Sequence, residues 1–152
     1  MNSAALSRSS RSLELSWVFQ AARCSDVKAV AVESPFARLD HAVDNHFREI
    51  LGRSGPIIAA PARWIGERLI GRCCEDVSPV AEIGRIAPRP LLLIQDGSDV
   101  LCPPEETRAL LDAAGSPKQF WTVDGAGHIG AEPAAHDEFA RRLTTFFDAA
   151  LR

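Results

Sequence analysis

Residues 89–115 read RPLLLIQDGSDVLCPPEETRALLDAAG, and this stretch decides the fold class. Its apolar run from Leu91 to Ile94 is typical of a strand that is buried on both faces of a parallel sheet. An acidic loop follows, and then a helix that begins with prolines and glutamates and stops near Gly115. A strand that leads into a helix through a short loop is half of a βαβ unit.

Similar elements flank this stretch on both sides. The runs VKAVAVESP at 27–35 and KQFWTV at 118–123 predict two further strands. Helices are predicted over residues 11–24 and from Pro133 to the end of the chain, because apolar residues recur there at helical spacing. The alternation predicts an α/β fold with a parallel three-stranded sheet, covered by helices on both faces.

Residues 36–85 have a different character, with prolines, glycines, histidines and arginines mixed together. They predict an insertion with one short helix near PARWIGERLIG at 61–71, where Gly71 suits the C-cap. The serine-rich start, residues 1–10, is expected to be disordered. Residues 11–152 are then expected to form a single domain, since the chain has the usual length of one.

Charge and hydropathy exclude some classes of partner. The net charge is −3, from 17 basic and 20 acidic residues that are interleaved, so nothing predicts a surface for nucleic acid. No apolar stretch approaches the roughly 20 residues of a membrane span, and no apolar segment near the start suggests a secretory signal. A cytoplasmic protein without a membrane partner is expected.

Metal and cofactor motifs are also missing from the sequence. The cysteines form no C-x-x-C pair and no histidine stands at metal-ligand spacing from them, so reduced thiols and no metal are expected. There is no phosphate loop, and no cofactor is expected either. The four cysteines are Cys24, Cys73, Cys74 and Cys102.

Two loops follow predicted strands and should meet at the carboxyl edge of the sheet, where α/β proteins bind ligands. The first, residues 95–103, carries Asp96 and Asp99. Either carboxylate could orient a histidine on the neighbouring loop and stabilise its protonated form. The alternative is that both are turn residues, because Asp-Gly-Ser is common in turns.

The second loop, residues 124–130, carries His128. Gly125 and Gly127 allow a tight turn that would lean this histidine across the strand ends. Asp124 is a second candidate acid, less favoured than Asp99 because it shares the loop of the histidine. An acid after one strand and a histidine after the next predict an acid–base pair, whereas either residue alone would be interpreted as a surface residue.

From about Asp76 onward the chain resembles the C-terminal part of an α/β-hydrolase, in the serine aminopeptidase and prolyl-oligopeptidase-like, dienelactone-hydrolase-like branch. The resemblance rests on DVSPVAEIGRIAPRPLLLIQDGSDVLCPPEETRALLDAAG followed by WTVDGAGHIG. In that family the acid shortly precedes a proline, as Asp99 precedes Pro103, and the histidine follows a glycine, as His128 does. The resemblance implies that His128 is the general base, that Asp99 orients it, and that the insertion is a variable cap.

The same resemblance places the nucleophile at Ser12, within SRSLE. The family motif is G-x-S-x-G, but Ser10 and Glu14 occupy the glycine positions, and no predicted strand precedes Ser12. The earlier strands and the loop that completes the oxyanion hole are also missing. The expectation is a truncated serine hydrolase for a small ester or a peptide or amide, weak or inactive as this chain.

Three explanations of such a chain stay open: a misassigned start, a frameshift, or a short product that pairs with a separately made N-terminal half. The competing function is non-catalytic, as a fragment or an interaction module. The strand at 27–32 would then be an exposed apolar edge, which favours self-association or pairing with another chain.

Several other polar and aromatic residues receive structural interpretations. Trp64 and Trp121 are expected to pack in the core or cap, although Trp64 could line a substrate pocket. Cys102 is not expected to be a nucleophile, because no histidine is placed to activate it. The histidines expected at the surface are His41, His46 and His136.

Overall fold

The computed structural model describes residues 17–71 and 73–152. The expected disorder of residues 1–10 and the expected nucleophile Ser12 therefore lie outside the described residues. The helices and strands are, in chain order, α1 (Trp17–Arg23), β1 (Val30–Glu33), α2 (Leu39–Leu51), α3 (Gly55–Ile70), α4 (Pro79–Glu82), β2 (Leu91–Asp96), α5 (Pro104–Ala113), β3 (Lys118–Val123), α6 (Ala131–Ala134) and α7 (His136–Ala150).

The three strands form one parallel sheet in the order β1-β2-β3, which confirms the predicted fold class. Leu91 of β2 pairs with Val30 of β1 on one side and with Lys118 of β3 on the other. All six residues of β2 are buried, as expected for a central strand. Within the described sheet, β1 and β3 are the outer strands.

Alternate residues of β2 supply two separate cores, because successive side chains of a strand point to opposite faces. On one face, Leu91 and Leu93 belong to the cluster that includes Val18 of α1. On the other face, Leu92 and Ile94 belong to the cluster that includes Phe146 of α7. The continuous apolar run in the sequence therefore reflects burial on both faces of the sheet.

Helix α5 begins at Pro104, as the sequence predicted, but Gly115 has a different role from the one expected. The helix ends at Ala113, and Ala114 is already extended, with φ −69° and ψ 140°. A Cβ atom on Gly115 would lie 2.6 Å from the Cβ of Ala87. Gly115 is thus required by close packing against the segment before β2.

The insertion between β1 and β2 contains more helix than the sequence predicted. Helices α2 and α3 pack against each other as a hairpin, and α3 starts at Gly55, well before the predicted position. Pro61 lies inside α3, and a proline is more typical of a first turn, so the sequence suggested a later start. The C-cap was predicted correctly: Gly71 has φ 71°, and its N–H donates to the carbonyl of Glu67.

The predicted start of the last helix at Pro133 is wrong. Pro133 lies in the short helix α6, and Ala135, with φ −144° and ψ 49°, separates α6 from α7. Phe146 is buried in the second core cluster. Three other residues predicted for this face are partly buried and pack against that cluster: Phe139, Leu143 and Phe147. Leu151, also expected on the buried face, lies beyond the end of α7 and is 63% exposed.

Helix α3 presents large apolar side chains to the surface, including Ile57, Trp64 and Leu69. Among the helices in the described ranges, none is both long and apolar enough to cross a membrane.

Candidate active site

Asp99 lies in the loop after β2, and its carboxylate is buried. One oxygen, Oδ1, accepts hydrogen bonds from the backbone N–H groups of Leu101 at 2.8 Å and Cys102 at 2.9 Å. These two donors hold the carboxylate in one orientation. The other oxygen, Oδ2, is therefore directed at the neighbouring loop.

The residue that Oδ2 meets is His128, whose Nδ1 lies 2.9 Å away. An ionised carboxylate can only accept, so Nδ1 must carry the proton and donate it. The neutral imidazole then has its lone pair at Nε2, which is the form a general base requires. The buried carboxylate of Asp99 holds one side of the His128 ring. The His128 side chain is 35% exposed, so the ring also remains accessible to solvent.

Backbone hydrogen bonds tie the acid loop to the histidine loop. The N–H of Gly97 donates to the carbonyl of Val123 at 2.9 Å, and the N–H of Ser98 donates to the carbonyl of Ala126 at 2.8 Å. The two loops thus extend the β2–β3 pairing beyond the sheet. This extension is the reason that residues distant in sequence, Asp99 and His128, lie side by side.

Asp96 and Asp124, the other candidate acids, are placed differently. Asp124 is exposed. Asp96 is fully buried, and its Oδ2 accepts hydrogen bonds from the hydroxyl of Ser34 at 2.9 Å and the N–H of Gly130 at 3.0 Å. Asp96 therefore anchors the backbone just after His128.

A second carboxylate supports the same backbone. Glu33, at the end of β1, accepts a hydrogen bond at Oε1 from the N–H of Ala131 at 2.9 Å. The pKa of Glu33 is raised above its ordinary value. Burial is the largest cause and the nearby charge of Asp96 adds to it, while the hydrogen bond from Ala131 opposes them by lowering the pKa. Sequence reasoning missed Glu33 and Ser34. The available signal was that both are polar residues at the carboxyl end of a strand, where ligand sites form.

Two non-glycine residues of this network have left-handed backbone conformations, Ser34 with φ 45° and Ile129 with φ 53°. Such conformations cost of the order of 1–3 kcal/mol each, and they cluster at functional sites. Ser34 is buried and its hydroxyl donates to Asp96, so this serine braces the loop and is not presented as a nucleophile. Ile129 directly follows His128 and sets the direction of the chain there.

The glycines of the histidine loop have unequal roles. Gly125 has φ 75°, in the region that favours glycine. Gly127 has no such conformation and has open space where a Cβ would lie, so its predicted role in the tight turn is wrong. The critical close approach is at Gly130, where a Cβ would lie 2.6 Å from the carbonyl oxygen of Gly127.

Gly130→Ala is expected to open the loop and displace His128 from Asp99, because the clash is with backbone atoms that cannot move independently. We expect a loss of about 1 kcal/mol in the free energy of unfolding. The far-downfield proton NMR signal of an Nδ1–H bonded to a carboxylate should be lost as well. Gly127→Ala is the matched control in the same loop and should retain both. Equal effects of the two substitutions would contradict this account.

Cys102 lies beside this pair, but its thiol is a poor nucleophile. Burial raises the pKa of Cys102 to about 12, and the charges of Asp99 and Glu106 contribute to the same direction. The thiol is therefore protonated near neutral pH, and the thiolate is the reactive form. The reason expected from the sequence, that no histidine lies near Cys102, is wrong, because a ring nitrogen of His128 lies within 4.8 Å of the sulfur; burial is what disfavours the thiolate.

His41 was predicted to be an unremarkable surface histidine, and it is half exposed, but it has a specific partner. Its Nδ1 lies 2.8 Å from Oε1 of Glu106, a residue of α5. The second oxygen of Glu106 accepts a hydrogen bond from the N–H of Ala37 at 2.7 Å. Together these contacts attach helix α2 of the insertion to the helix that follows Asp99. His46 and His136 are exposed, as expected.

Trp64 and Trp121 have different surroundings. Trp121 packs against Phe139, with 6.2 Å between ring centroids, and the guanidinium of Arg142 covers it at 4.8 Å. Trp64 is 61% exposed and lines an open groove of about 160 Å³ with Arg63, a groove that neither Asp99 nor His128 lines. The structure therefore gives no support to Trp64 as part of a substrate pocket at this site.

Solved structures of other proteins resemble the structure of this chain and identify its fold. An esterase from Pyrococcus furiosus matches 89% of this chain with a TM-score of 0.68 at 15% sequence identity, and the match covers 50% of that esterase. An α/β hydrolase from Penicillium sp. sh18 matches 88% of this chain with a TM-score of 0.59 at 16% identity, over 59% of its length. This chain has part of an α/β-hydrolase fold.

A puromycin-hydrolyzing peptidase from Mycobacterium tuberculosis also shares this fold. It matches 79% of this chain with a TM-score of 0.54 at 21% identity, over 18% of its own length. No protein-family model and no curated protein sequence matches the chain. These three structural neighbours are named as an esterase, a hydrolase and a peptidase, and this chain spans only about half the length of the first two.

Proposed function

We propose that this chain carries the acid–base half of a Ser–His–Asp hydrolase centre and that the substrate class is an ester or an amide. The observation that carries the proposal is the 2.9 Å contact between Asp99 Oδ2 and His128 Nδ1, with Asp99 Oδ1 held by two backbone N–H groups. The hydrolase names of the structural neighbours favour the same chemistry.

The proposed reaction uses both nitrogens of His128. Nε2 takes the proton of a serine hydroxyl as the serine oxygen attacks the acyl carbon, and Asp99 stabilises the imidazolium that forms. His128 then returns the proton to the leaving alcohol or amine. Water next attacks the acyl-enzyme with His128 again acting as base, which releases the acid and regenerates the serine.

Ser12 is the proposed nucleophile, by its position in the motif that the sequence resembles. The glycines of that motif are replaced by Ser10 and Glu14. Glycines are favoured there because the nucleophile lies on a sharp, strained turn between a strand and a helix. We therefore propose that the chain by itself is weakly active or inactive, since both the turn and the oxyanion hole would be incomplete.

We expect the 152-residue chain to hydrolyse p-nitrophenyl esters at less than about 1% of the rate of a complete esterase, because losing one oxyanion donor alone costs on the order of 10²–10³ in rate. A fluorophosphonate probe should label the folded chain weakly or not at all. The measurement is repeated with Ser12→Ala and His128→Ala, and with Ser25→Ala, an exposed serine, as the matched control.

Each outcome of this assay decides a different part of the proposal. Robust turnover that both Ser12→Ala and His128→Ala abolish would show a working triad and contradict the proposed inactivity. Turnover that is insensitive to His128→Ala would contradict the hydrolase assignment itself.

A second candidate function is an interaction module that pairs through β1, as an outer strand of the described sheet. Val30 and Ser34 donate their N–H groups to the β2 side, so the N–H of Ala31, between them, faces the free edge. Ala31→Pro would remove that donor without cutting a bond to β2. If the edge mediates self-association, light scattering should show an oligomer that Ala31→Pro dissociates, and a monomeric parent chain would contradict it.

A further inference from the structure

A third potential metal ligand, the thiol of Cys102, lies beside the acid–base pair and has no role in the proposed hydrolysis. A carboxylate oxygen of Asp99, the sulfur of Cys102 and a ring nitrogen of His128 all lie within 4.8 Å of one another. Cys102 is 4% exposed and in no disulfide. In the part of the chain that the structure describes, its sulfur makes no hydrogen bond. A buried thiol without a partner thus faces an orienting carboxylate and a half-exposed imidazole.

We propose that Asp99, Cys102 and His128 bind one Zn²⁺ ion. Zinc accepts sulfur, nitrogen and oxygen ligands together, at about 2.3, 2.0–2.1 and 2.0–2.2 Å, and three protein ligands leave a fourth position for water. Ca²⁺ and Mg²⁺ are disfavoured, because they prefer ligand sets made entirely of oxygen.

The geometry requires only a small movement. Tetrahedral zinc with these bond lengths holds neighbouring ligand atoms about 3.3–3.6 Å apart. The three atoms already lie within 4.8 Å. Asp99 is held by backbone N–H groups, so the adjustment falls on the side chains of Cys102 and His128, of which His128 is 35% exposed. The three ligand atoms are therefore already gathered around one point.

Protons and charges balance in this step. The zinc–sulfur bond forms as the Cys102 thiol loses its proton to solvent, because a coordinating thiol is deprotonated even where burial has raised its pKa. The imidazole binds as the neutral ring: the proton on Nδ1, the nitrogen that faces Asp99, moves to Nε2 through solvent, and the lone pair freed at Nδ1 coordinates the ion. The charges of carboxylate and thiolate then neutralise the ion.

The bound ion and the proposed base would exclude each other. Zinc on Asp99 and His128 breaks the hydrogen bond between them and removes the imidazole from proton transfer. Zinc binding itself does not depend on the proposed hydrolysis, so the two proposals can fail separately.

Cobalt titration of the full chain under a phosphine reductant tests this site. Co²⁺ bound to a thiolate gives a near-ultraviolet charge-transfer band, and we expect one equivalent of Co²⁺ to produce it and one equivalent of Zn²⁺ to displace it. Cys102→Ala should abolish the band, and His128→Ala should weaken Co²⁺ binding at least tenfold. Circular dichroism confirms that each variant is folded. His128 is partly exposed, so His128→Ala is expected to fold. It therefore tests the site even if Cys102→Ala does not fold.

The matched controls are the other cysteines, which are exposed or partly exposed. Cys24→Ala and the double variant Cys73→Ala/Cys74→Ala should both retain the band. A band that persists in Cys102→Ala, or that follows the vicinal pair Cys73 and Cys74, would overturn the proposal. So would the absence of a band in the folded parent chain.

Discussion

Leu93→Ala is expected to lower the free energy of unfolding by about 2–5 kcal/mol, the range for leucine truncation in a packed core. Leu93 is fully buried at the centre of β2 and belongs to the cluster beneath α1. The cavity would lie in a strand paired on both sides, where neighbouring backbone cannot easily collapse into it. Chemical denaturation followed by circular dichroism measures the change.

Leu69→Ala is the matched control, because the same atoms are removed from a side chain that is 83% exposed. Its effect should stay within about 0.5 kcal/mol. Similar losses for the two variants would mean that β2 is not the centre of the fold.

Gly55→Ala is expected to force the α2–α3 hairpin apart and to destabilise the protein by about 3 kcal/mol, at the upper end of overpacking. A Cβ at Gly55 would lie 2.3 Å from the carbonyl oxygen of Phe47 and 2.5 Å from the backbone nitrogen of Arg48. These are backbone atoms of α2, so no change of side-chain conformation can relieve the clash. Thermal unfolding and limited proteolysis of the hairpin measure the result.

Gly66→Ala provides the control in the same helix, because among the described residues no atom outside its own helix backbone and its chain neighbours lies within 4 Å of its Cβ position. Alanine is a better helix former than glycine, so this variant should stabilise the protein by about 0.5–1 kcal/mol. The pair therefore predicts effects of opposite sign. Two effects of the same sign would contradict the close helix contact.

The sheet and its helices were predictable wherever a local pattern is strong. The apolar run of β2 and the proline start of α5 are contiguous signals, and both are in place. Helix α2 was not predicted, although apolar residues recur at helical spacing along LDHAVDNHFREIL, because the mixed composition of residues 36–85 was interpreted as an irregular insertion. The break at Ala135 was also missed, since the apolar spacing continues across it. Such boundaries are set by packing against the rest of the chain.

Only the two central residues of the candidate site, Asp99 and His128, were predictable from the sequence. Asp99 and His128 could be proposed because each follows a strand, and parallel strands bring such loops to one edge. The anchoring of Gly130 by Asp96 was not predictable, because by position alone Asp96 and Asp99 were both candidates for the acid, and the resemblance assigned a role only to Asp99. Which of two neighbouring carboxylates faces an imidazole depends on the exact turn, and that turn is determined by contacts between loops.

By itself, the sequence determined the parallel α/β architecture and the two loops that carry the acid and the histidine. The physical reason is that apolar periodicity and the turn preferences of proline and glycine are local properties of the chain. The resemblance implied that Asp99 orients His128, and the tertiary structure shows that contact; only the tertiary structure decided that Asp96, Ser34 and Glu33 support the loop behind it. It alone also brought the thiol of Cys102 to the same pair. These contacts join residues far apart in the chain, and their partners exist only once the strands have paired and buried the loops together.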